Sequence, residues 1–375
     1  MLHRKLTKIM AVALIFAGCL HLFGCGQKEP VTLGFVGGLT GKVSDLGGPA
    51  RNGMLFAVEE ANKADGINGQ PIQTLIRDDR QDPETAKKVV AELLAKNVDA
   101  IIGPVTSSMA VQVAPMAEQA QTVMMGVTVT TNDLSNKDDH FFRVLAATAV
   151  HAGEVAEFLF NERSVRTFSA IYDLNNKAYS QGWITDFEQR MTELGGSAVT
   201  ILSFSSGNQE ALIPVAEQLV SGDPDIVIFV TNAVDAALLA KLIRSKSDDV
   251  MLGTSEWAGT ERLIELGGRF VEGAFVPQYL DRESKDPDYQ RFREGFIKRF
   301  NHEPGFPGLT AYNATRVIID RLKNKSASQS LKDALLAQGT FPAIQGSVQF
   351  DEFGDAESKT YVTQIINSQF VVQTD

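Results

Sequence analysis

Positions 31–41 read VTLGFVGGLTG, a short apolar run that ends in a glycine-rich turn. The apolar part, residues 31–36, predicts a β-strand, and the turn leads toward an amphipathic helix over 49–62, where Met54 and Val58 share one face. The same order of strand, turn and helix returns along the chain. Alternation of this kind is typical of a parallel sheet that is covered by helices on both faces.

Further strands and helices follow on the C-terminal side of this stretch. Asp82 and Pro83 open one of the helices as N-cap and first helical residue. The predicted strands after the first are 71–77, 98–102, 122–127, 167–172, 198–204, 225–230, 250–253, 346–350 and 361–372. The predicted helices after the first begin at 83 and cover 107–119, 149–161, 179–194, 209–220, 234–245, 287–300, 308–323 and 331–338. The sequence therefore predicts an α/β chain, with a first parallel sheet and a second one that starts after residue 149.

The composition is that of a soluble globular protein of two domains. The chain has 375 residues, 44% of them hydrophobic and 22% charged, which argues against intrinsic disorder, a collagen-like structure and a polytopic membrane protein. The two cysteines, Cys19 and Cys25, lie near the N-terminus, so the body of the chain has neither a disulfide nor a cysteine-based metal or catalytic site. Outside the N-terminal segment, His140, His151 and His302 show no ligand spacing. We therefore expect no metal and no cofactor.

The N-terminal segment has the features of an export signal. A basic region precedes an apolar run that is too short to span a bilayer. Small residues then precede Cys19 and Cys25, and both sites resemble the lipobox of bacterial lipoproteins, with Cys25 favoured because a polar tether follows it. We therefore predict a signal peptide at 1–24, a tether at 25–30 and a protein anchored by lipid in the periplasm or at the cell surface. An ordinary cleaved signal with incidental cysteines is the alternative.

Cleavage at that site changes the charge of the chain. Residues 1–24 contain three Lys or Arg and no acid, so the formal charge falls from −11 to −14 in the mature chain. An acidic surface repels nucleic acid and anionic lipid. A nucleic-acid partner is therefore not expected.

Several short strings, in this order and spacing, resemble those of one family, the type I periplasmic binding proteins of the leucine/isoleucine/valine class. The strings are GFVGGLTG at 34–41, GING at 66–69, IGP at 102–104, YSQG at 179–182 and QG at 345–346. The resemblance covers residues 31 to about 372. It implies two α/β lobes, each a mainly parallel sheet flanked by helices, joined by three hinge crossovers around a ligand cleft. It also implies lobe limits, with the N-terminal lobe at 31–146 plus 278–346 and the C-terminal lobe at 147–277 plus 347–375.

The first lobe offers neutral groups that suit a ligand carboxylate. Ser107 follows a predicted strand and opens a helix, so its hydroxyl and the free backbone N–H groups of the first turn can hold an anion. A plain helix cap is the simpler role for Ser107. Thr128 and Thr130 end another strand, where ligands of open parallel sheets bind. The resemblance implies that the backbone carbonyl of Thr128 and the hydroxyl of Thr130 hold the ammonium and carboxylate of an α-amino acid.

The second lobe offers one acid and several aromatic side chains. Glu256 follows a strand and falls, within about one residue, where the family has an acid for the ligand ammonium. The resemblance implies that Tyr179 lies over the ligand, and Trp257 either lines the pocket or packs between the lobes. Leu46 and Asn232 stand where the family has aromatic residues, so they leave the side-chain preference open.

These features predict a solute-binding receptor that captures a small amino acid, branched-chain or otherwise apolar, and delivers it to an ABC transporter. The alternative is the same fold with an aromatic carboxylate or an amide as ligand, in which case Glu256 lacks an ammonium partner. A secreted enzyme is the remote alternative. The G-x-S-x-G pattern is broken at Trp257, and Val36 stands where a dinucleotide-binding loop needs its first glycine.

Overall fold

The computed structural model describes residues 29–207, 210, 212–337 and 339–373, so the predicted signal peptide and Cys25 lie outside the described residues. Two sheets, of five and seven strands, form the centre of the described part, beside a small hairpin. The strands of the first sheet are β1 Val31–Gly37, β2 Ile72–Asp78, β3 Ala100–Ile102, β4 Met124–Gly126 and β5 Phe141–Arg143. Those of the second are β6 Thr167–Asp173, β7 Ser197–Phe204, β8 Ile226–Val230, β9 Met251–Thr254, β10 Phe275–Gln278, β13 Tyr361–Ile366 and β14 Gln369–Val372. The hairpin consists of β11 Phe341–Ala343 and β12 Gly346–Val348.

Helices flank both sheets. In chain order they are α1 Ser44–Lys63, α2 Pro83–Leu94, α3 Ser107–Gln119, α4 Thr148–Glu162, α5 Lys177–Leu194, α6 Leu212–Val220, α7 Ala233–Arg244, α8 Glu261–Gly267, α9 Pro287–Phe300, α10 Gly305–Asn324 and α11 Leu331–Ala337. Among the described residues, no helix combines the length and the apolar character that crossing a membrane requires. The predicted start of α2 is confirmed, because Asp82 accepts a hydrogen bond from the backbone N–H of Thr85 and Pro83 is the first helical residue.

The two sheets share one strand order. The first runs β2-β1-β3-β4-β5, and every neighbouring pair is parallel. The second repeats this order as β7-β6-β8-β9-β10 and continues with β13 and β14. The expectation of two mainly parallel sheets is confirmed, with one correction: β13 is antiparallel to both β10 and β14. Residues 361–372 therefore form a hairpin, whose turn residues Asn367 and Ser368 both have positive φ.

The chain passes three times between the two layers. It leaves the first sheet after β5 and enters α4, which packs against α5. It returns after β10 to α9 and α10, which pack against α1, and it crosses again after β12 to reach β13. We call the first sheet with α1–α3 and α9–α11 the first lobe, and the second sheet with α4–α8 the second lobe. The exact limits at residues 146, 277 and 346 stay a prediction.

An apolar core runs without interruption from one sheet to the other. Leu33 and Phe35 of β1 belong to the same buried cluster as Phe168 and Ala170 of β6. In open sheets of this order, ligands bind beyond the carboxyl ends of the strands, where the strand order reverses. The reversal lies between β1 and β3 in the first lobe and between β6 and β8 in the second. The shared core therefore fixes both sets of strand ends beside one cleft.

Candidate functional site

Polar contacts join the two lobes across this cleft. Lys42 follows β1, and its Nζ lies 2.6 Å from Oδ1 of Asp235 in α7. Thr260, before α8, donates from its hydroxyl to Oδ2 of Asp45 in α1 at 2.6 Å. The lobes are therefore closed on each other in this structure.

At the centre of the cleft, the N-termini of two helices face each other. The backbone N–H of Ser108, in the first turn of α3, donates to Oδ1 of Asn176 at 3.0 Å. The backbone N–H of Ala178, in the first turn of α5, donates to Oγ of Ser108 at 3.2 Å. Both helices thus direct the positive ends of their dipoles toward the cleft, where they stabilise an anion.

A narrow cavity lies between the lobes beside these helix ends. Its lining comes from both lobes and from the segment after β10, and consists of Leu46, Val105, Thr106, Thr128, Asn176, Tyr179, Trp257, Tyr279 and Phe306. None of these residues carries a formal charge at neutral pH, and four of them are aromatic. A mainly apolar lining with a few polar groups is typical of small-molecule sites.

Glu256 adjoins the cavity through Tyr179. It lies in the short turn after β9 and is fully buried. Its Oε2 accepts hydrogen bonds from the hydroxyl of Tyr179 at 2.8 Å and from Nε1 of Trp183 at 2.9 Å, whereas Oε1 has no partner within the described chain. Burial raises the pKa of Glu256 from 4.5 to about 7, and the backbone N–H of Glu256 and the two side-chain hydrogen bonds oppose this rise. The site therefore holds one buried carboxyl group whose charged form a cation would stabilise.

Tyr279 connects this acid to the first lobe. It follows β10 and lines the cavity, and its hydroxyl adjoins the side chains of Thr130, Tyr179 and Glu256. Burial, followed by the nearby charge of Glu256, holds the pKa of Tyr279 well above its usual value of 10. The hydroxyl therefore stays protonated and is able to donate a hydrogen bond.

The first lobe presents hydroxyl groups to the same region. The hydroxyls of Thr106 and Thr130 are buried, and neither meets a hydrogen-bond partner among the residues the structure describes. Ser107 does not cap α3, because Thr106 occupies the N-cap position, and Ser107 Oγ lies 3.4 Å from the backbone N–H of Thr130. Thr128 donates its hydroxyl proton to the carbonyl oxygen of Val105. Because a buried hydroxyl without a partner is unfavourable, these groups mark where a polar ligand atom would be stabilised.

The structure brings seven of the eight predicted site residues together. Each lines the cavity or lies within one residue or one side-chain contact of its lining; they are Leu46, Ser107, Thr128, Thr130, Tyr179, Glu256 and Trp257. Asn232 lies elsewhere. It caps α7 by accepting a hydrogen bond from the backbone N–H of Asp235 at 3.1 Å, and it donates to Oδ2 of the same residue at 2.8 Å. The side chain of Asn232 therefore forms its hydrogen bonds with Asp235, next to the contact between Lys42 and Asp235.

Six residues of the site were not identified from the sequence: Val105, Thr106, Asn176, Trp183, Tyr279 and Phe306. Thr106 precedes Ser107 and could have been found from the same strand end. Trp183 lies four residues after Tyr179, so helical spacing alone places the two side chains on one face of α5. Tyr279 follows β10, a four-residue strand that the sequence pattern does not predict. No local signal therefore marks Tyr279 as a residue beyond a strand end.

Comparisons with known proteins agree with this geometry. A family model described as periplasmic binding protein matches residues 30–369 of the chain. The leucine-, isoleucine-, valine-, threonine- and alanine-binding protein of Pseudomonas aeruginosa is 24% identical over 336 residues, which cover 88% of each chain.

Two solved structures share the fold. One is a branched-chain amino acid transporter substrate-binding protein of Streptococcus pneumoniae in complex with isoleucine, with a TM-score of 0.85, 18% identity and coverage of 92% of this chain and 100% of that one. The other is a solute-binding protein of an ABC transporter of Rhodopseudomonas palustris in complex with 3,4-dihydroxybenzoic acid, with a TM-score of 0.81, 16% identity and coverage of 92% and 96%. These likenesses confirm the fold class that the sequence predicted.

Proposed function

The chain belongs to the periplasmic binding protein family, in its leucine/isoleucine/valine class, and from this premise we propose that it captures a small apolar amino acid and delivers it to an ABC transporter. The family is one of extracytoplasmic solute receptors and not of enzymes. We further propose that lipid on Cys25 holds the protein at the membrane. This part rests on the lipobox resemblance alone, because Cys25 lies outside the described residues.

The free oxygen of Glu256 is the observation that carries the proposal. Oε1 is buried and has no hydrogen-bond partner in the part of the chain that the structure describes, while Oε2 of the same carboxyl group is bonded to Tyr179 of the cavity lining. A buried carboxylate is unfavourable unless a cation or hydrogen-bond donors stabilise it. An ammonium group supplies both a positive charge and donors, so it suits this position better than a neutral ligand atom does.

The first-lobe wall of the cavity suits a carboxylate. The N-terminus of α3 and the hydroxyls of Thr106 and Thr130 lie there, and no lysine or arginine occurs among the described residues of the lining. Neutral donors and a helix dipole stabilise an anion without adding a charge that would repel the neighbouring ammonium. The cleft therefore matches the paired opposite charges of an α-amino acid.

The rest of the lining suits an apolar side chain. Leu46, Val105, Trp257 and Phe306 supply apolar surface from both lobes. Buried apolar surface of this kind contributes about 25 cal/mol for each square ångström removed from water. A leucine-, isoleucine- or valine-like side chain gains from that contact, whereas a charged side chain would lose its hydration.

An aromatic carboxylate is the second candidate ligand. Four of the lining residues are aromatic, and rings of this kind stack against an aromatic acid. The Rhodopseudomonas palustris relative in fold was solved with such an acid. In this case Glu256 would face the ligand without a cation and would stay protonated to avoid a buried charge.

Calorimetric titration distinguishes the two candidates. We expect wild-type protein to bind one or more apolar L-amino acids and Glu256→Gln to lose about 30-fold to several thousand-fold in affinity, because an ammonium left without its buried counter-charge costs about 2–5 kcal/mol. Glu352→Gln, at an exposed position, is the matched control and should bind as wild type does. Tight binding of an acid without an amino group, together with unchanged affinity in Glu256→Gln, would favour the aromatic carboxylate.

A further inference from the structure

Two hydrogen bonds converge on a single oxygen of Glu256. Tyr179 and Trp183 lie one helical turn apart on α5 and donate to Oε2 at 2.8 Å and 2.9 Å. A carboxylate oxygen has about two acceptor positions, so these donors occupy Oε2. Oε1 is then the oxygen that remains for a further donor.

Trp183 is held away from the cavity. Its side chain is fully buried and does not belong to the cavity lining. The indole stacks on Phe187 with ring centroids 5.3 Å apart and an angle of 11° between the ring planes. Phe187 in turn packs edge-to-face on Phe168 of β6 at 5.0 Å. This stack fixes the direction in which the indole N–H points.

We infer that Trp183 is a positioning residue for ligand binding: without touching the ligand, it keeps Glu256 ionised and oriented so that Oε1 receives the ammonium group. The inference rests on the proposed function, because only a cationic ligand requires that charge. Tyr179 differs from Trp183, since it donates to the same oxygen and also lines the cavity. Replacing Trp183 therefore tests the hydrogen bond from its indole N–H to Glu256 without removing a residue of the cavity lining.

The groups around Glu256 explain why the loss of one hydrogen-bond donor, the indole N–H of Trp183, changes the ionisation of this acid. Burial and the nearby Glu154 favour the neutral carboxyl group, whereas the backbone N–H of Glu256 and the hydrogen bonds from Tyr179 and Trp183 favour the ionised form. Tyr179 and Tyr279 also face Glu256, and both stay protonated because burial holds the pKa of each well above 10. Loss of the indole N–H should therefore raise the pKa of Glu256 further, above its value of about 7. A neutral carboxyl group is a poor partner for an ammonium ion.

Trp183→Phe is the test, because it removes the N–H and keeps a ring on Phe187. With L-leucine as the probe, we expect the affinity to fall about 10- to 100-fold at neutral pH, the range for a hydrogen bond to a charged group. The loss should shrink as the pH rises toward about 8.5, since a higher pH ionises Glu256 again. In a Glu256→Gln background the same change should have no pH-dependent effect. Wild-type affinity, or an equal loss at every pH, would overturn the inference.

A measurement without ligand separates this inference from the proposed function. The carboxyl ¹³C signal of Glu256, assigned by its loss in Glu256→Gln, should titrate at a higher pH in Trp183→Phe than in the wild type. If Trp183→Phe does not fold, Phe187→Leu removes the ring on which the indole of Trp183 stacks and allows the same titration. An unchanged titration would overturn the inference. A shifted titration in a protein that binds no L-amino acid would overturn the proposed function and support the control of Glu256 by Trp183.

Discussion

Two acids of the cleft, the fully buried Glu256 and the half-buried Asp45, share one physical property. Burial raises the pKa of Glu256 to about 7 and that of Asp45 to about 6. Each has one carboxyl oxygen without a partner among the described residues. A carboxyl group in this condition is stabilised when a proton or another cation arrives. Glu256 adjoins the cavity through Tyr179, and Asp45 is bonded across the cleft to Thr260.

We expect Glu256→Gln to stabilise the ligand-free protein above neutral pH. The pKa of Glu256 rises on folding from 4.5 to about 7, so the unfolded chain ionises first and the folded state loses stability as the pH rises through this window. The free energy of unfolding should exceed that of the wild type by up to about 3 kcal/mol at pH 8 and by little at about pH 4.5. Urea denaturation measures this difference. The same difference at both pH values would contradict the explanation.

His151 should make the protein sensitive to acid. It lies in the first turn of α4, its Nδ1 lies 2.6 Å from the hydroxyl of Thr360, and its ring packs on Tyr279, so it contacts all three crossover regions. Burial lowers its pKa from 6.5 to about 3. Between these values the unfolded chain binds a proton that the folded chain does not, so stability falls as the pH falls, by about 1.4 kcal/mol per pH unit.

Unfolding curves of His151→Asn measure this contribution. The variant should show a flatter loss of stability than the wild type between about pH 6 and 4, because it has no imidazole to protonate. His140→Asn, on a less buried side chain, serves as the comparison. An acid profile of His151→Asn that follows the wild type would assign the sensitivity to other groups.

The lipid anchor leads to a separate prediction. Cys25→Ala should release the protein from membranes into the soluble fraction, because the thiol is the proposed site of the lipid. Fractionation with immunodetection measures the distribution, and Cys19→Ala is the matched control that should stay membrane-bound. Release of Cys19→Ala with retention of Cys25→Ala would show that the other cysteine carries the lipid.

Helices and strands differ in how well the sequence predicts them. The helices predicted at 107–119 and 287–300 match α3 and α9 to the residue. For α9 the reason is local, since Asp286 caps the first turn and Pro287 occupies the first position. Strands β5 and β10 were not predicted, and they form because neighbouring strands pair with them. The equally short β3 and β4 were predicted because they lie within the mainly apolar runs 98–102 and 122–127. Because β10 was not predicted, the sequence did not identify Tyr279 as a residue beyond a strand end.

The packing of α1 against α10 gives a prediction for one pair of elements. A Cβ on Gly53 of α1 would lie 2.1 Å from the carbonyl oxygen of Gly308 in α10. Gly53→Ala should therefore force the helices apart and lower the free energy of unfolding by about 1–3 kcal/mol. Gly153→Ala, in α4 with no atom within 4 Å of the added Cβ, should instead raise it by up to about 1 kcal/mol. Equal effects of the two changes in denaturation would contradict this view of the contact.

The arrangement of the two lobes could be predicted only through the family resemblance. The two lobes and the three crossovers follow from it, and so does the expectation that Thr128, Tyr179 and Glu256 lie near one cleft. The contacts that hold the lobes together have no local signal, since Lys42 and Asp235 are 193 residues apart. The role of Asn232 could not be predicted from the sequence for a related reason. Its side chain forms hydrogen bonds with Asp235, and these bonds exist only when the first turn of α7 is folded.

The contact between Lys42 and Asp235 should favour the closed molecule. Asp235 is almost fully buried, with Lys42 at 2.6 Å as its partner from the opposite lobe. Without Lys42, closure would bury the charge of Asp235 with only neutral donors from its own lobe, whereas opening would return it to water. We expect Lys42→Ala to have a larger radius of gyration than the wild type without ligand, by small-angle scattering. Saturating L-leucine should compact both proteins, with an affinity about 5- to 30-fold weaker in the variant, which corresponds to about 1–2 kcal/mol.

Lys332→Ala, which removes an ion pair with Asp138 inside the first lobe, should change neither value. If the radius of gyration and the affinity of Lys42→Ala match those of the wild type, the pair does not control closure. A radius that ligand leaves unchanged in both proteins would mean that binding does not move the lobes.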